Sequence, residues 1–478
     1  MKNFKFLSLF LMLFFLNCSK DKDDNLINLE GELEISDFVW KGLNYYYYWQ
    51  KNVPNLSDTM DDDANSYTTF ISQNSDPEIF FDELLFSEDR FSWIVDDYIE
   101  HANSLSGIVA HNGMEFGLTY QCSGCTDLVG YVRYIQPNSN ASTKEIYRGN
   151  FFITVNGFSL NIDNYRELLY SDDLTYTLGL ANYDQENGIF DLNGQNITLT
   201  KQENFQINPI HKTNIYSLGE NNIGYLHYSK FLADYTDELN DVFANFKSSN
   251  ITDLVLDLRY NSGGSIYASR VLCSLITGQF SNQVLISYQW NDKLMDYWNE
   301  NNPESLTKPF VNKLDDNSSL NSLNLERIYV LTSSRTASAS EMLINGLSPY
   351  IDVIQIGDYT VGKNVGSITV HDYIDNDGTK NPNHKYAMQP IVIKVANKDG
   401  YADFDNGLPP DINQKESLSN LGILSSPSEP LFLTAINLIT GNARNIENVK
   451  NPIEYTIENP KINLEQIATL EGEYKILK

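Results

Sequence analysis

A buried strand that runs through a short polar turn into a helix constrains the fold of this chain most. Residues 328–332 (Ile-Tyr-Val-Leu-Thr) predict a buried strand, and Glu341 to Leu347 predict the helix that follows. Ser338 stands at the start of this helix, within Thr336-Ala337-Ser338-Ala339-Ser340. Because the N-terminus of a helix is its positive end, we expect the Ser338 hydroxyl to lie in a positive potential, with the amide of Ala339 free to bind an oxyanion.

A lysine follows at the end of the next predicted strand. Lys363, in Gly362-Lys363, comes 25 residues after Ser338. To take a proton from serine, the lysine must be neutral near pH 7. Its reference pKa is about 10.4, so the protein must destabilise the ammonium form by roughly 4–5 kcal/mol to lower the pKa that far. Burial between Val361 and Val365 is expected to supply that destabilisation. We therefore interpret Ser338 and Lys363 as a nucleophile and its base; the alternative for Lys363 alone is a solvated lysine in a turn.

Two glycines end another buried strand. Residues 254–258 (Leu-Val-Leu-Asp-Leu) run into Arg259-Tyr260-Asn261-Ser262-Gly263-Gly264. Glycine lets backbone amides approach a ligand closely. Beside Ser338, one glycine amide and the amide of Ala339 would bracket the oxygen of a tetrahedral intermediate. Asp257 and Arg259 are expected to pair with each other and hold this loop.

The pattern of residues changes several times along the chain and predicts a multidomain α/β protein. Residues 31–105 show aromatic-rich helical periodicity, 106–205 short strands with Gly and Asn turns, and 206–440 strands alternating with helices. Within the last segment, the polar, Asn-rich residues 280–322 predict an insertion or lid. The predicted segments are a lipoprotein signal peptide (1–18), a linker (19–30), an N-terminal helical cap domain (31–105), a small β domain (106–205), an α/β core (206–440) and a C-terminal tail (441–478).

The N-terminus predicts a processing signal. Lys2 and Lys5 precede a short apolar run, Phe6 to Leu16, and Cys18 follows. The run is too short to span a bilayer and resembles a bacterial lipoprotein signal, with Cys18 as the lipidated residue. The charged run 19–24 is interpreted either as a solvated tether or as an acidic export signal, since it resembles that of lipoproteins on the outer face of a gram-negative outer membrane. Ordinary secretion or a membrane anchor remain alternatives.

Charge and cysteine usage restrict the partners. The net charge of −30 repels a phosphate backbone, which argues against nucleic acid. Cys122 and Cys125 have no second cysteine or histidine pair nearby, so a disulfide is expected rather than a four-ligand zinc site. The run 375–378 (Asp-Asn-Asp-Gly) lacks the full calcium-loop pattern and predicts a turn. No metal or cofactor is expected.

The small β domain has an order of elements that resembles a PDZ domain. Phe116-Gly117-Leu118 opens one strand, Val129 to Ile135 form another, and residues 149–157 give a strand and a tight turn. The resemblance implies that Gly117 and Leu118 lie in a carboxylate-binding loop and that a peptide adds to the sheet as a strand. The alternative is a small β domain without peptide affinity.

Several blocks resemble the C-terminal processing peptidases, also called tail-specific proteases, and they keep the family's order over roughly 106–440. The resemblance implies a crotonase-like core of αββ repeats, a PDZ module that captures substrate tails, and a Ser–Lys dyad without metal. The matching blocks are Leu256-Asp257-Leu258-Arg259-Tyr260-Asn261-Ser262-Gly263-Gly264, Thr336-Ala337-Ser338-Ala339-Ser340-Glu341, Gly357-Asp358-Tyr359-Thr360-Val361-Gly362-Lys363 and Gly407-Leu408-Pro409-Pro410-Asp411-Ile412.

The resemblance also implies roles for single residues. Ser338 would be the nucleophile, Lys363 the general base, and Ala339 with Gly263 or Gly264 the oxyanion donors. Many members place a glutamine four residues after the lysine to orient it, whereas this chain has Ser367 there. A serine hydroxyl can orient a lysine by hydrogen bonding, so Ser367 is expected to take that role. The histidines lie outside recognisable motifs and are interpreted as structural.

Together these patterns predict a lipid-anchored envelope serine endopeptidase whose substrates are polypeptides bound through their C-terminal tails. Membrane contact is expected only through the lipid at Cys18. The rival interpretation is a catalytically silent surface lipoprotein that binds peptides or glycans on the same fold.

Overall fold

The computed structural model describes Leu29, residues 31–442 and Ala468–Thr469. Cys18 and its signal segment lie outside the described residues, as do most of the 19–30 linker and most of the 441–478 tail. The predictions for these segments stay predictions. Within the described ranges, no helix combines the length and the hydropathy that crossing a bilayer requires.

The N-terminal part is helical, as predicted, and includes one short strand. Three of its helices are capped by aspartates, because the Asp63, Asp76 and Asp97 carboxylates accept hydrogen bonds from first-turn amides. Its aromatic face is buried and belongs to the same apolar cluster as the core sheets. The elements are α1 (Glu32–Tyr46), α2 (Ala64–Ile71), α3 (Pro77–Glu83), β1 (Trp93–Val95) and α4 (Tyr98–Leu105).

The next part is a small antiparallel β unit with its own apolar core. Its main sheet has the order β3-β4-β5-β7-β8, β6 pairs with β5, and β2 pairs separately with β9. The elements are β2 (Ile108–His111), β3 (Met114–Tyr120), β4 (Leu128–Ile135), β5 (Phe151–Val155), β6 (Phe158–Ser159), α5 (Tyr165–Tyr170), β7 (Thr175–Asp184), β8 (Ile189–Thr200) and β9 (Gln202–Gln206). The predicted disulfide is present between Cys122 and Cys125, in the turn joining β3 to β4.

The expectation that Gly117 and Leu118 lie in a loop is wrong. Both lie inside β3, where Gly117 pairs with Tyr131 and Leu118 with Gly130. A Cβ on Gly117 would come within 2.2 Å of the Tyr131 ring. The glycine therefore makes room for a cross-strand aromatic ring rather than for a turn. β3 is the end strand of its sheet, so Phe116, Gly117 and Leu118 lie on an edge.

The remaining residues build two six-stranded sheets and a three-stranded one. The sheet orders are β10-β11-β12-β16-β17-β22, β13-β23-β18-β21-β14-β15 and β1-β20-β19. The elements are β10 (Ile210–Leu218), β11 (Asn221–Tyr228), α6 (Thr236–Ser248), β12 (Asp253–Asp257), β13 (Gly264–Ser265), α7 (Ile266–Thr277), β14 (Val284–Trp290), α8 (Asp292–Asn301), β15 (Thr307–Pro309), β16 (Arg327–Thr332), α9 (Ala339–Leu347), β17 (Asp352–Gly357), β18 (Val365–Ser367), β19 (Val370–His371), β20 (Ala387–Gln389), β21 (Ile391–Asn397), β22 (Ile412–Asn413), α10 (Pro430–Ile439) and β23 (Ala468–Thr469).

The prediction of an insertion or lid at 280–322 is wrong for its first part. β14 pairs with β21 on one side and β15 on the other, inside a core sheet. Buried Leu285 and Ile286 belong to the main apolar cluster. The Asn-rich flanks concealed a strand whose apolar side chains are needed by the core.

The first core sheet positions the sequence motifs. β12, β16 and β17 are adjacent and parallel, with Asp257 opposite Leu331 and Thr332 opposite Gly357. Loops after neighbouring parallel strands meet at the carboxyl edge of the sheet. The glycine loop after β12, the serine turn after β16 and the lysine segment after β17 therefore converge there.

Candidate active site

Ser338 holds a strained position at the start of α9. Its backbone has φ 61°, a region that non-glycine residues rarely occupy and that is typical of functional sites. The side chain is 2% exposed, and among the described residues its Oγ has no hydrogen-bond partner. A buried polar group without a partner costs about 1–3 kcal/mol. Strain and an unused hydroxyl together indicate a group held ready for a ligand.

Glu341 ties the serine turn to the lysine segment. Its Oε2 accepts hydrogen bonds from the amides of Ser338 (2.7 Å) and Lys363 (2.8 Å). Its Oε1 accepts from the Gly362 amide (2.6 Å) and the Thr360 hydroxyl (2.5 Å). Since one oxygen bonds both the Ser338 and the Lys363 nitrogens, these two backbone positions are neighbours.

The role of Glu341 was missed, although the residue stands in a motif. Three residues after an N-terminal serine, a glutamate is the signature of a capping box, and that signal would have found its bond to Ser338. Its bonds to the lysine segment have no local signal. Burial raises the pKa of the Glu341 carboxyl, while its hydrogen bonds from Thr360, Ser338, Gly362 and Lys363 lower it.

Lys363 lies in a dry, aromatic environment. The side chain is 1% exposed, and its Nζ lies 4.8 Å from the ring centre of Phe91 and 6.0 Å from that of Trp93. Burial lowers the pKa of Lys363 from 10.5 to about 7, although the negative charges of Asp89 and Glu341 act to raise it. A large fraction of this lysine is therefore neutral at neutral pH.

The rings beside Lys363 come from the N-terminal part, and the sequence did not connect them with the lysine. Arg90 anchors this segment, because its guanidinium donates to the carbonyls of Gly362 (3.1 Å) and Asp405 (3.2 Å). Next to it, β1 pairs with β20, with Trp93 opposite Gln389. No local pattern signals a contact between segments so distant in the chain.

The structure brings Ser338 and Lys363 together. Both line one small cavity, whose other walls include Ile266, Val365 and Phe404. Apart from these two side chains and Asn364, the walls are apolar. A hydroxyl and an amine that titrates near neutral pH thus share a space from which bulk water is mostly excluded.

The two candidate glycines differ in what their amides do. The Gly263 amide donates to the side chain of Asn261 (2.8 Å), which leaves it engaged. Gly264 has φ 131°, and a Cβ there would come within 2.1 Å of the Phe231 carbonyl oxygen, so only glycine fits. Ala339, as the first residue of α9, has an amide without an acceptor inside the helix. Ala339 is therefore a candidate donor, and the Gly264 amide becomes one where the pairing of Gly264 with Ala468 is open.

The glycine loop is fastened directly to the serine turn. The carbonyl of Asn261 accepts hydrogen bonds from the Ala337 amide (3.1 Å) and the Ser340 hydroxyl (3.1 Å). The Thr336 hydroxyl donates to the carbonyl of Leu258 (2.9 Å). These bonds fix the distance between the proposed oxyanion donors.

Asp257 and Arg259 pair internally, as predicted. Nε of Arg259 donates to Asp257 (2.9 Å), and its terminal nitrogens donate to Glu429 (2.6 and 3.0 Å) and Glu416 (3.0 Å). Arg259 and Asp257 are both fully buried. Their function is to hold the glycine loop on the sheet.

Comparison with known proteins assigns the family. The sequence profile of peptidase family S41 matches residues 222–413, and the profile of the peptidase S41 N-terminal domain matches residues 34–93. Together the two matches cover more than half of the chain. The chain belongs to peptidase family S41. Both halves of the site, the Ser338 cavity and the Phe91–Trp93 segment that covers Lys363, fall within the matched residues.

Individual relatives agree with this assignment. This S41 chain is 26% identical over 168 residues to the carboxy-terminal processing protease CtpA of Bacillus subtilis (strain 168). The match takes in 35% of this chain and about a third (31%) of that relative's length. A crystal structure of a putative S41 protease from Bacteroides fragilis NCTC 9343 has the same fold, with a TM-score of 0.65 and 24% identity over 85% of this chain and 97% of that chain.

Ser367 of this S41 chain is buried in β18 and is itself held by a glutamine. Nε2 of Gln389 donates to the Ser367 hydroxyl (3.0 Å). Oε1 of Gln389 accepts from the Thr369 hydroxyl (2.8 Å) and lies 3.1 Å from Nε2 of His101. The sequence did not single out Gln389, because it lies in another strand, 22 residues after Ser367.

The remaining candidates of this S41 chain lie apart from the serine cavity. Phe116 faces α5, with its ring centre 5.9 Å from that of Tyr170. Asp375 caps a turn, as expected, by accepting from the amides of Asp377 (3.0 Å) and Thr379 (2.9 Å). In the described part of the chain, no three His, Cys, Asp or Glu residues are grouped so that they could hold a metal ion.

Proposed function

We propose that this protein is a serine endopeptidase in which Ser338 is the nucleophile and Lys363 the general base. One observation carries the proposal: a buried serine hydroxyl and a lysine with a pKa of about 7 line the same small cavity. Burial lowers the pKa of the lysine so that its neutral form can act as the base, the role that a histidine has in other serine peptidases.

The reaction follows from these groups. The neutral Lys363 amine accepts the Ser338 Oγ proton as Oγ bonds to the substrate carbonyl carbon. The amides of Ala339 and Gly264 donate to the resulting oxyanion. The C–N bond then breaks, and the Lys363 ammonium returns its proton to the leaving amine. Water hydrolyses the acyl-enzyme in the same way, its proton passing through Lys363 to Ser338.

The site residues outside this pair orient it. Ser367, fixed by Gln389, takes the place of the family's glutamine and orients Lys363. Glu341 fixes the backbones that carry Ser338 and Lys363. No metal or cofactor takes part in this scheme.

The small β unit is proposed as a PDZ-like module that captures the C-terminal tails of polypeptide substrates, on a crotonase-like core. Its edge strand β3, with Phe116, Gly117 and Leu118, is available for strand addition, because no further strand among the described residues pairs with its outer side. α5 lies beside this edge. The module would deliver a tail towards the Ser338 cavity.

The proposed location is the envelope of a gram-negative bacterium, with the protein held on the outer membrane by a lipid at Cys18. The apolar run before that cysteine and the acidic run after it support this assignment.

Replacement of the nucleophile tests the proposal. In Ser338→Ala, hydrolysis of a reporter polypeptide should fall by a factor on the order of 10³ or more, and a serine-directed acylating probe should no longer label the protein. Ser348→Ala, an exposed serine at the end of the same helix, is the matched control and should keep both signals. Unchanged turnover in Ser338→Ala would exclude the proposal. A wild-type protein that binds peptides or glycans but neither cleaves nor labels would favour the silent binding lipoprotein.

A further inference from the structure

A short piece of the C-terminal segment forms a strand inside the second core sheet, between its end strand β13 and β18. β23 pairs in parallel with β13 on one side, with Ala468 opposite Gly264 and Thr469 opposite Ser265. On its other side, Thr469 pairs in parallel with Ser367 of β18. In the order of this sheet, β23 separates β13 from β18. The sheet is therefore completed by residues that lie far beyond the core in the chain.

The strand runs beside the proposed catalytic groups. β13 ends immediately before Ile266, and β18 begins at Val365; both residues line the cavity of Ser338 and Lys363. The two strands that flank β23 therefore lead directly to residues that line the proposed active site.

The backbone of Gly264 faces β23. The neighbours of Gly264 bond to the other side, because the Gly263 carbonyl accepts from the Phe231 amide (2.8 Å) and the Ser265 amide donates to the Phe231 carbonyl (2.8 Å). Successive residues of a strand direct their backbone groups to alternate sides. The proposed oxyanion donor is thus turned towards the C-terminal strand that pairs with it.

We propose that the groove between β13 and β18 binds an extended polypeptide, and that its occupant in the intact chain is the protein's own segment Ala468–Thr469. The inference rests on the proposed function, since it makes this segment a competitor of the substrate. Recognition is through backbone hydrogen bonds on both sides, so the groove accepts a strand that runs parallel to β13 and β18.

Chain length permits this pairing within one molecule. Twenty-five residues separate Asn442 from Ala468. Fully extended, such a connection reaches about 85 Å, which exceeds the dimensions of a core of this size. A substrate must displace the segment, so its apparent affinity is reduced by the fraction of molecules whose groove is open.

Proline substitution in the full-length chain tests the proposal without removing the tail. In the Ser338→Ala background, the double variant Ala468→Pro/Thr469→Pro removes both amides that a central strand donates. The control Glu447→Pro/Asn448→Pro places the same two substitutions elsewhere in the tail. The probe is a fluorescent synthetic peptide of residues 463–474. Thermal unfolding of each variant checks that the core remains folded.

The peptide should bind the Ala468→Pro/Thr469→Pro protein about tenfold more tightly than it binds the protein with its natural tail or the control. Equal affinity for all three would overturn the proposal. With Ser338 restored, the same proline pair should lower the KM for a reporter polypeptide and leave kcat unchanged. If no variant cleaves the reporter but the difference in peptide binding persists, the groove assignment stands and the peptidase assignment fails.

Discussion

The Ser338 cavity and the β3 edge differ in how their backbone hydrogen-bonding groups are used. Around Ser338, a single buried carboxylate accepts three backbone amides and a hydroxyl, so the catalytic backbones have little freedom. Along β3, one side of the strand has no partner strand in the described part of the chain. Under the proposed function, the difference teaches that chemistry would depend on buried groups fixed in advance, whereas recognition would depend on backbone left open at an edge.

The comparison also separates what each region contributes to stability. Ser338 is strained, its hydroxyl has no hydrogen-bond partner in the part of the chain that the structure describes, and Lys363 is buried as a titrating amine. Each feature opposes folding and is overcome by the surrounding core. The small β unit has a conventional apolar core under its sheet. Substitutions in the two regions should therefore differ in kind, in kcat at the cavity and in KM at the edge.

The largest effect is expected from Lys363→Met. Loss of the base should lower kcat by about 10²- to 10⁴-fold. Stability should change in the opposite direction. The folded protein, with a Lys363 pKa of about 7, binds fewer protons than the unfolded chain between pH 7 and 10.5. The lysine therefore destabilises the fold fully below pH 7, and this penalty disappears as the pH rises towards 10.5.

At pH 7, Lys363→Met should raise the free energy of unfolding by about 2–4 kcal/mol, measured by denaturant titration. The wild-type kcat/KM should fall as the pH drops below about 7. Lys398→Met, at a more exposed lysine, is the control and should change neither quantity. If Lys363→Met loses stability at pH 7, or if the pH profile shows no base near 7, the neutral-lysine interpretation is wrong.

A smaller effect is expected from Glu341→Gln. The amide side chain brings a donor group towards backbone amides that need acceptors, so one or more bonds to Ser338, Gly362 or Lys363 must break. We expect kcat to fall by about 10- to 100-fold, because the nucleophile and base lose their relative placement. The melting temperature should also fall. Glu326→Gln, at an exposed glutamate, serves as the comparison. Unchanged kcat would show that the carboxylate has no positioning role.

The smallest effect is expected at the β3 edge. Phe116→Ala removes a ring that packs between the sheet and α5. The KM for a reporter with a free C-terminal tail should rise about fivefold, and kcat should stay unchanged. Phe158→Ala, an exposed phenylalanine on strand β6, which pairs with β5 and not with β3, should leave KM as it is. A fall in kcat with constant KM would show that Phe116 acts in catalysis rather than in substrate binding, and would contradict the proposed difference between the two regions.

The convergence of the core motifs was predictable because it depends on local patterns. The strand before Ser338, the helix after it and the glycines after β12 each have a local signal, and parallel pairing brings them together. The burial of Lys363 was inferred from its neighbours in the chain. The rings that enforce this burial, Phe91 and Trp93, were not, because contacts across such separations leave no periodicity in the sequence.

The errors have the same origin. Gly117 was assigned to a loop because the order of elements resembles a PDZ domain, but a glycine is required there by the ring of Tyr131 on the next strand. β14 looked like part of a lid because Asn-rich residues flank it, but Ile286 and its neighbours pack into the core. In both cases the conformation depends on packing against residues distant in the chain, and the local sequence does not identify those residues.

The aromatic cover of Lys363 has a consequence for assembly of the protein. Phe91 and Trp93 arrive on a segment that Arg90 fastens to the lysine turn. Until that segment docks, the amine stays hydrated and protonated, and the peptidase half would be inert although its serine, helix and glycine loop were already in place. Under the proposed mechanism, cleavage therefore depends on docking of this N-terminal segment, because only the covered amine is substantially neutral near pH 7.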